Sequence, residues 1–293
     1  MSSDIEERIR ERSKRITDPA GRETVILEDN AACEIAWQLG LGLHEIYSES
    51  LRLGVYPYRY IRNVDILSAT EQLKLAGSRV AVVGAGGLGG QVVLLLSRVG
   101  VGTLVVVDCD VFDETNLNRQ ALCVEETLGE PKARAAAEAV AAINPGIRVI
   151  AHQLRLTADV IDGVLSGCDV VVDGLDNAPD RLLLQDAAGR LGIPMVHGAL
   201  AGFEGRVMTV FPGDAGVKQL YGEAASGADP DRPEAVLGVP AVTAALIGTF
   251  QAMEVLKILL KRGSLFRNVM AYCDLENGRL ELFRFGEAAE KTT

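Results

Sequence analysis

Histidine and aromatic side chains are scarce in this 293-residue chain: three His, seven Phe, six Tyr and one Trp. None of the three histidines (His44, His152, His197) sits in a triad-like pattern, so chemistry led by a histidine base has little to draw on. Cysteine is equally thin. Cys33, Cys109, Cys123, Cys168 and Cys273 are odd in number and scattered, and no two stand at CxxC spacing. That argues against a disulfide scaffold and a cysteine-rich zinc site, and it suits a reducing cytoplasm. Positive charge is in deficit, with 29 basic against 40 acidic residues and a net charge of -11. An acidic chain repels nucleic acid at long range. The charged N-terminus MSSDIEERIRERSKR lacks the apolar core of a secretory signal. The most apolar window, Ala241 to Leu260, carries Gln251, Glu254 and Lys257, so it reads as a buried or amphipathic helix and not a membrane span.

What is present is globular: 48% hydrophobic and 24% charged residues, in a length suited to one large α/β domain or two small ones. Residues 1–57 read as a helical extension, with Ile35, Leu39, Leu43 and Ile46 at helical spacing from about Ala31 to Leu53. From Arg79 onward, strand-like runs (RVAVV, TLVVVD, IRVIAHQL, DVVVDGL, IPMVHGAL) alternate with helical ones. This pattern predicts βαβ units and a Rossmann-like, doubly wound, mostly parallel α/β sheet. RVMTVFPG and a hairpin around Asn277-Gly278 add antiparallel strands near the C-terminus. Residues 213–238 are rich in Gly, Ala, Asp and Pro and read as a long functional loop.

Gly84-Ala85-Gly86-Gly87-Leu88-Gly89 follows a strand and opens a helix, and Asp108 ends the next strand. This is a GxGxxG loop in its proper context, with backbone N–H groups for a phosphate and an acid for a ribose. The loop alone fits NAD or ATP. The polar segment that follows, Asp108 to Gln120, has no use in hydride transfer, and Arg119 with Lys132 suits a triphosphate. Asp173-Gly174-Leu175-Asp176-Asn177 ends another strand at the ligand crevice. Asp176 is the candidate Mg²⁺ ligand, while Asp173 either caps the next helix or holds the turn.

Taken in order, the motifs GAGGLGG, VVDCD, NLNRQ, GEPK, INP, DGLDN and HGALAGFEGRV resemble the E1-like adenylyltransferases of the ThiF/MoeB/HesA type. The resemblance covers about residues 58–285 and makes 58–293 an adenylation domain with a crossover loop at 213–238. It implies ATP-dependent adenylation of the C-terminal glycine carboxylate of a ubiquitin-like sulfur carrier ending in Gly-Gly, with Mg²⁺. Carried over position by position, Arg119 and Lys132 contact phosphates, Asn116 and Gln120 assist, Asp108 holds the ribose and Asp176 the metal. Gly84, Gly86, Gly87, Leu88, Gly89, Asp110 and Asn177 complete the nucleotide site. Arg62, in RYIRN, matches an arginine that reaches the nucleotide of the other subunit in a homodimer.

Two departures stand out. The two CxxC pairs that bind zinc in many members are absent, so no zinc is expected. No cysteine lies between Cys168 and Cys273, where many members carry one in the crossover loop. Adenylation without a thioester step is therefore expected, with sulfur supplied by another protein. Cys109 and Cys123 are read as packing residues, and residues 1–57 as packing or dimerisation. Three alternatives stay open: an NAD-dependent oxidoreductase using His197, a tRNA-modifying dehydratase of the same superfamily, and a non-catalytic binding module.

Overall fold

The computed structural model describes residues 2–222 and 237–285. Most of the long predicted loop, 223–236, therefore lies outside the described residues. The N-terminal zone is not wholly helical. Helix α1 (Ser2–Arg12) leads into strands β1 (Lys14–Thr17) and β2 (Glu23–Leu27), which pair antiparallel. The stretch read as one helix is two: α2 (Asp29–Leu39) and α3 (Leu43–Arg52). Gly40, at φ 63°, ends α2 in the left-handed region that L residues rarely adopt, and this breaks the helical run. Strand β3 (Tyr56–Pro57) then adds parallel to β2. Ile9, Leu27, Ile35, Ile46 and Tyr47 form a small core of their own.

This unit is riveted to the rest by polar contacts. The Tyr47 hydroxyl donates to Asp29 Oδ1 at 2.6 Å, and the Arg59 guanidinium pairs with Asp29 and donates to the Ile143 carbonyl at 3.0 Å. Burial and the Asp29 hydrogen bond push the Tyr47 pKa up, so its hydroxyl stays a donor. Asn144 is buried, and its Nδ2 donates to the Tyr60 hydroxyl at 2.8 Å and the Ser97 carbonyl at 3.0 Å. The INP motif thus carries a structural clasp.

After a short helix α4 (Ala69–Ala76), the main sheet forms as the alternation predicts. Strands β4 (Arg79–Val83), β5 (Thr103–Val107), β6 (Arg148–His152), β7 (Val170–Asp173) and β8 (Met195–Ala201) are parallel, in the order β8-β7-β4-β5-β6. Strand β9 (Glu204–Val210) follows β8 antiparallel, then β10 (Val269–Asp274) and β11 (Arg279–Arg284) form the hairpin edge.

Strand side chains alternate between two cores. Val80, Val82, Leu104, Val106 and Val172 meet α5 (Gly87–Val99), α6 (Lys132–Ile143) and α10 (Ala241–Leu260). Ala81, Val83, Val105, Val107 and Val171 meet α7 (Ile161–Leu165) and α8 (Ala178–Leu191) on the other face. A short α9 (Lys218–Tyr221) precedes the undescribed stretch. Each fully buried valine contributes roughly 1.5–3 kcal/mol. Burial on both faces explains why these strands read as unbroken apolar runs. By length and composition α10 could span a membrane, yet it is half buried and packs on α5 with Gln251 and Glu254 inside, as a core helix does.

Asn144→Ala removes the two hydrogen bonds that its Nδ2 donates and the one that its Oδ1 accepts from the Gly146 N–H at 3.2 Å, and leaves the Tyr60 hydroxyl and Ser97 carbonyl short of a donor. The expected loss is about 1–3 kcal/mol, read as a lower urea midpoint with an unchanged slope.

Candidate active site

The strand order reverses between β4 and β7, because the chain runs outward through β5 and β6 before returning to β7. Such a switch point opens a crevice at the carboxyl ends of the strands. Here it is a cavity of about 490 Å³, within the range of small-molecule sites, roughly 300–1,000 Å³.

The glycine loop forms one wall. Gly84 has φ 89°, and a Cβ there would lie 2.5 Å from the Gly174 carbonyl oxygen. A Cβ on Gly89 would lie 1.7 Å from the Gly84 carbonyl oxygen. The loop thus folds back on α5 and against the β7–α8 turn with no room for side chains. Gly84, Gly86, Gly87 and Leu88 line the cavity, whereas Gly89 is packed behind the loop and serves its fold. The start of α5 presents backbone N–H groups to this space, a natural anion seat.

Asp108 closes the next corner. Its Oδ2 accepts from the Ala85 N–H at 2.7 Å and its Oδ1 from the Asp110 N–H at 2.8 Å. Burial pushes its pKa up, while these two N–H groups and Lys132 oppose the rise. Each oxygen keeps a lone pair for a ligand hydroxyl.

Lys132 and Asp110 are placed by a local clip. The Lys132 N–H donates to the Asp110 carbonyl at 3.0 Å, and Val111 and Pro131 form an antiparallel bridge. This brings Lys132 Nζ to 3.1 Å from Asp110 Oδ2, with the lysine side chain 9% exposed and the aspartate 63%. The buried ammonium is thereby compensated in the free protein. Arg119 is half-buried and rests on the Thr115 carbonyl at 2.7 Å and Asn118 Oδ1 at 3.0 Å. Those are surface contacts that a ligand anion can replace. Gln120 is buried beside Gly86, and its Oε1 has no hydrogen-bond partner among the described residues. Asp176, exposed on the β7–α8 turn, faces the same cavity.

Two predicted residues also make local structural contacts, and a third lies outside this chain's own cavity. Asn116 is buried and does not line the cavity. Its Oδ1 accepts from the Asp113 N–H at 3.3 Å, closing the turn that presents Arg119. Asn177 lines the cavity, but its side chain is the N-cap of α8: Oδ1 accepts from the Asp180 N–H at 2.9 Å, and Nδ2 donates to Asp176 and Asp180. Arg62 is exposed on the turn Tyr58–Asn63 and lies outside its own chain's cavity.

Asp108, Cys109 and Asp110 bring possible ligand atoms within 4.8 Å of one another. Lys132 already engages Asp110, and burial with the neighbouring Asp110 pushes the Cys109 thiol pKa up, so the triplet is a poor cation seat. Burial also raises the Cys123 thiol, so both cysteines are protonated near neutrality and are weak nucleophiles.

Sequence reasoning missed the support beneath the Asp176 turn. Asp173 holds the turn, as one of its two expected roles had it, accepting from the Leu175 N–H at 2.9 Å. Its other oxygen meets His197 Nδ1 at 2.7 Å, with both side chains fully buried. Arg181 is also buried, lines the cavity and lies 3.7 Å from Asp173. The signal was available: an arginine in the first turn of a helix opposes the helix dipole, so it needs a local partner. His197 does form a pair with an acid, yet it is sealed away from the cavity. It cannot donate or accept a proton there, which removes the acid–base group an oxidoreductase would require.

A model of the ThiF family matches residues 59–293. The SAMP-activating enzyme E1 of Haloferax volcanii is 41% identical over 219 residues, covering 74% of this chain and 80% of that protein. The sulfur carrier protein ThiS adenylyltransferase of Escherichia coli is 33% identical over 204 residues, covering 69% and 80%. Among solved structures, E. coli MccB with bound ATP superposes with a TM-score of 0.67 at 18% identity, covering 80% of this chain and 73% of that one. At that identity the likeness speaks to the fold.

Burial lowers the His197 pKa below its ordinary 6.5, with Asp173 opposing and Arg181 and Arg206 adding to the fall. The unfolded chain therefore takes up a proton near 6.5 that the folded chain refuses. Stability is complete above that pH and declines below it, by up to about 1.4 kcal/mol per pH unit. His197→Gln is expected to flatten this decline in urea titrations between pH 7.5 and 5.5. An unchanged slope would place the titration elsewhere.

Proposed function

The chain belongs to the ThiF family and is an adenylyltransferase, and from that premise we propose that it adenylates the C-terminal glycine carboxylate of a ubiquitin-like sulfur carrier ending in Gly-Gly. The observation that carries this reading is the convergence, on one cavity, of an anion-binding glycine loop, the cations Lys132 and Arg119, and the Asp176 carboxylate.

A peptide C-terminal carboxylate has a pKa of about 3.5 and is already ionised at neutral pH. A carboxylate oxygen can attack the α-phosphate of ATP directly, forming the acyl–O–P bond of the adenylate as the bond to pyrophosphate breaks. No proton has to be moved, and the cavity offers no histidine to move one. The reaction needs alignment and charge compensation instead. Glycine-loop N–H groups hold phosphate oxygens, Asp108 takes ribose hydroxyls, and Gln120 Oε1 receives a donor from the nucleotide. Lys132 leaves Asp110 for the triphosphate, and Arg119 swings from its carbonyl rest.

The donor set also fits a hard divalent cation: an exposed carboxylate on a rigid turn, facing a phosphate seat. Mg²⁺ bound there supplies charge neutralisation of the phosphates. Asp176 would hold it, oriented by the Asn177 amide at 3.2 Å.

The adenylate is the end point of this chain's own chemistry in our reading. No cysteine lies between Cys168 and Cys273, and Cys109 and Cys123 are held as thiols. Sulfur then comes from another protein, in the cytoplasm. No zinc enters the reading. Arg62, exposed and outside its own cavity, fits the role of reaching the nucleotide of a second subunit.

Two tests follow. Pyrophosphate–ATP exchange should depend on a carrier ending in Gly-Gly, and Lys132→Ala should lower it by about 10²–10³-fold. Exchange without any carrier, or a carrier trimmed of its last glycine acting equally well, would sink the substrate assignment. Arg62→Ala and Asp176→Ala should each be nearly inactive alone, and mixing them should restore up to a quarter of the wild-type sites. Absence of rescue in confirmed mixed dimers would count against a shared site.

A further inference from the structure

Tyr221 is the last residue of α9, at the near end of the segment 213–222. Its hydroxyl accepts from Arg181 Nη1 at 2.6 Å and from Arg206 Nη2 at 3.3 Å. The same two guanidinium groups lie over its ring, at 5.4 and 5.6 Å from the centroid. The His197 ring meets it edge-on at 5.9 Å. One tyrosine thus satisfies both oxygen lone pairs and engages its ring with two cations and a histidine.

These contacts close a ring. Arg181 Nη2 donates to the Leu175 carbonyl at 2.6 Å. The Leu175 N–H donates to Asp173 at 2.9 Å, and Asp173 meets His197 at 2.7 Å. His197 returns to Tyr221. Both backbone polar groups of Leu175 are therefore pinned, and Leu175 immediately precedes Asp176. With Arg181 3% exposed, the planar guanidinium bridges two acceptors that no flexible ammonium can span together.

We infer that Tyr221 is a positioning residue for the metal-bearing turn, acting through Arg181 on Leu175 and so on the direction of the Asp176 carboxylate. Tyr221 itself does not line the cavity; it meets the cavity wall through Arg181. The consequence is that the segment ending at Tyr221 reports its position to Asp176 through that contact. The inference rests on the assignment of Asp176 to Mg²⁺ made above.

The test is nucleotide affinity, measured by calorimetry on the full chain without any carrier, once with Mg²⁺ and once with chelator. Tyr221→Phe keeps the ring and its packing but removes the oxygen. It should weaken ATP binding three- to tenfold with Mg²⁺ and leave binding in chelator unchanged. Arg181→Lys, which also alters the cavity lining, should weaken binding more with Mg²⁺ than in chelator, with circular dichroism confirming the fold. A merely structural role would weaken both conditions alike, and that result, or wild-type affinity in both, overturns the inference. Asp176→Asn separates the two readings. If it abolishes the Mg²⁺ enhancement while Tyr221→Phe leaves it intact, the positioning role alone falls. If Asp176→Asn keeps the enhancement, the metal assignment falls and takes the positioning role with it.

Discussion

The site depends on one place where two backbones meet without side chains. The Gly84 carbonyl is packed by Gly89 from its own helix and by Gly174 from the β7–α8 turn, and an added Cβ at either would lie 1.7 or 2.7 Å from it. This contact sets the separation of the anion-binding loop from the turn bearing Asp176. Strand pairing holds it in place: Gly84 N–H donates to Val107, and Gly174 N–H to Val83, each at 2.8 Å. The cavity is shaped by this crossing, and the charged groups are hung on its edges.

Those charges are arranged so that each is compensated before a ligand arrives. Lys132 is held by Asp110, and Arg119 by carbonyl oxygens. Beneath the turn, buried Arg181 faces buried Asp173, while His197 stays neutral by burial. An uncompensated buried ion would cost several kcal/mol, so the pairing is what lets a chain of net charge -11 keep a cation-lined pocket. Exposed Asp110 and half-buried Arg119 are the ones that can exchange; the more deeply buried groups give the turn its rigidity.

The strands, the glycine loop and the C-terminal hairpin were legible because period and turn chemistry act locally: RVAVV before GAGGLGG admits few other folds. The cations Arg119 and Lys132 were legible as charges beside a phosphate loop. What failed was the division of labour within a motif. In NLNRQ, Asn116 closes the turn while Arg119 and Gln120 face the cavity, and in DGLDN the cap is Asn177. Composition does not say which of several Asx residues will cap, since all are suited to it. The hairpin Lys14–Leu27 was missed because its strands are short: β1 is mostly exposed, and β2 buries the adjacent pair Ile26 and Leu27, so neither prints an alternating period. Arg181 was missed because its partners come from two segments distant in sequence, Asp173 and Leu175 on the β7–α8 turn and Tyr221 on α9.

The His197–Asp173 pair makes a wider point about reading chemistry from residue types. In a cavity that needed proton transfer, an acid-backed imidazole would be the first candidate base. Here it is fully buried, its neighbour is a tyrosine ring, and its Nε2 meets no partner among the described residues. A carboxylate nucleophile makes such a base unnecessary, so the pair is free to be structural. Its Nδ1 fixes one Asp173 oxygen, which leaves the other for Leu175, and the precision reaches the reacting groups as geometry. The chemistry at this site is thus divided between charges on the cavity wall whose partners a ligand can replace and the buried Asp173–His197 pair that holds the turn from beneath.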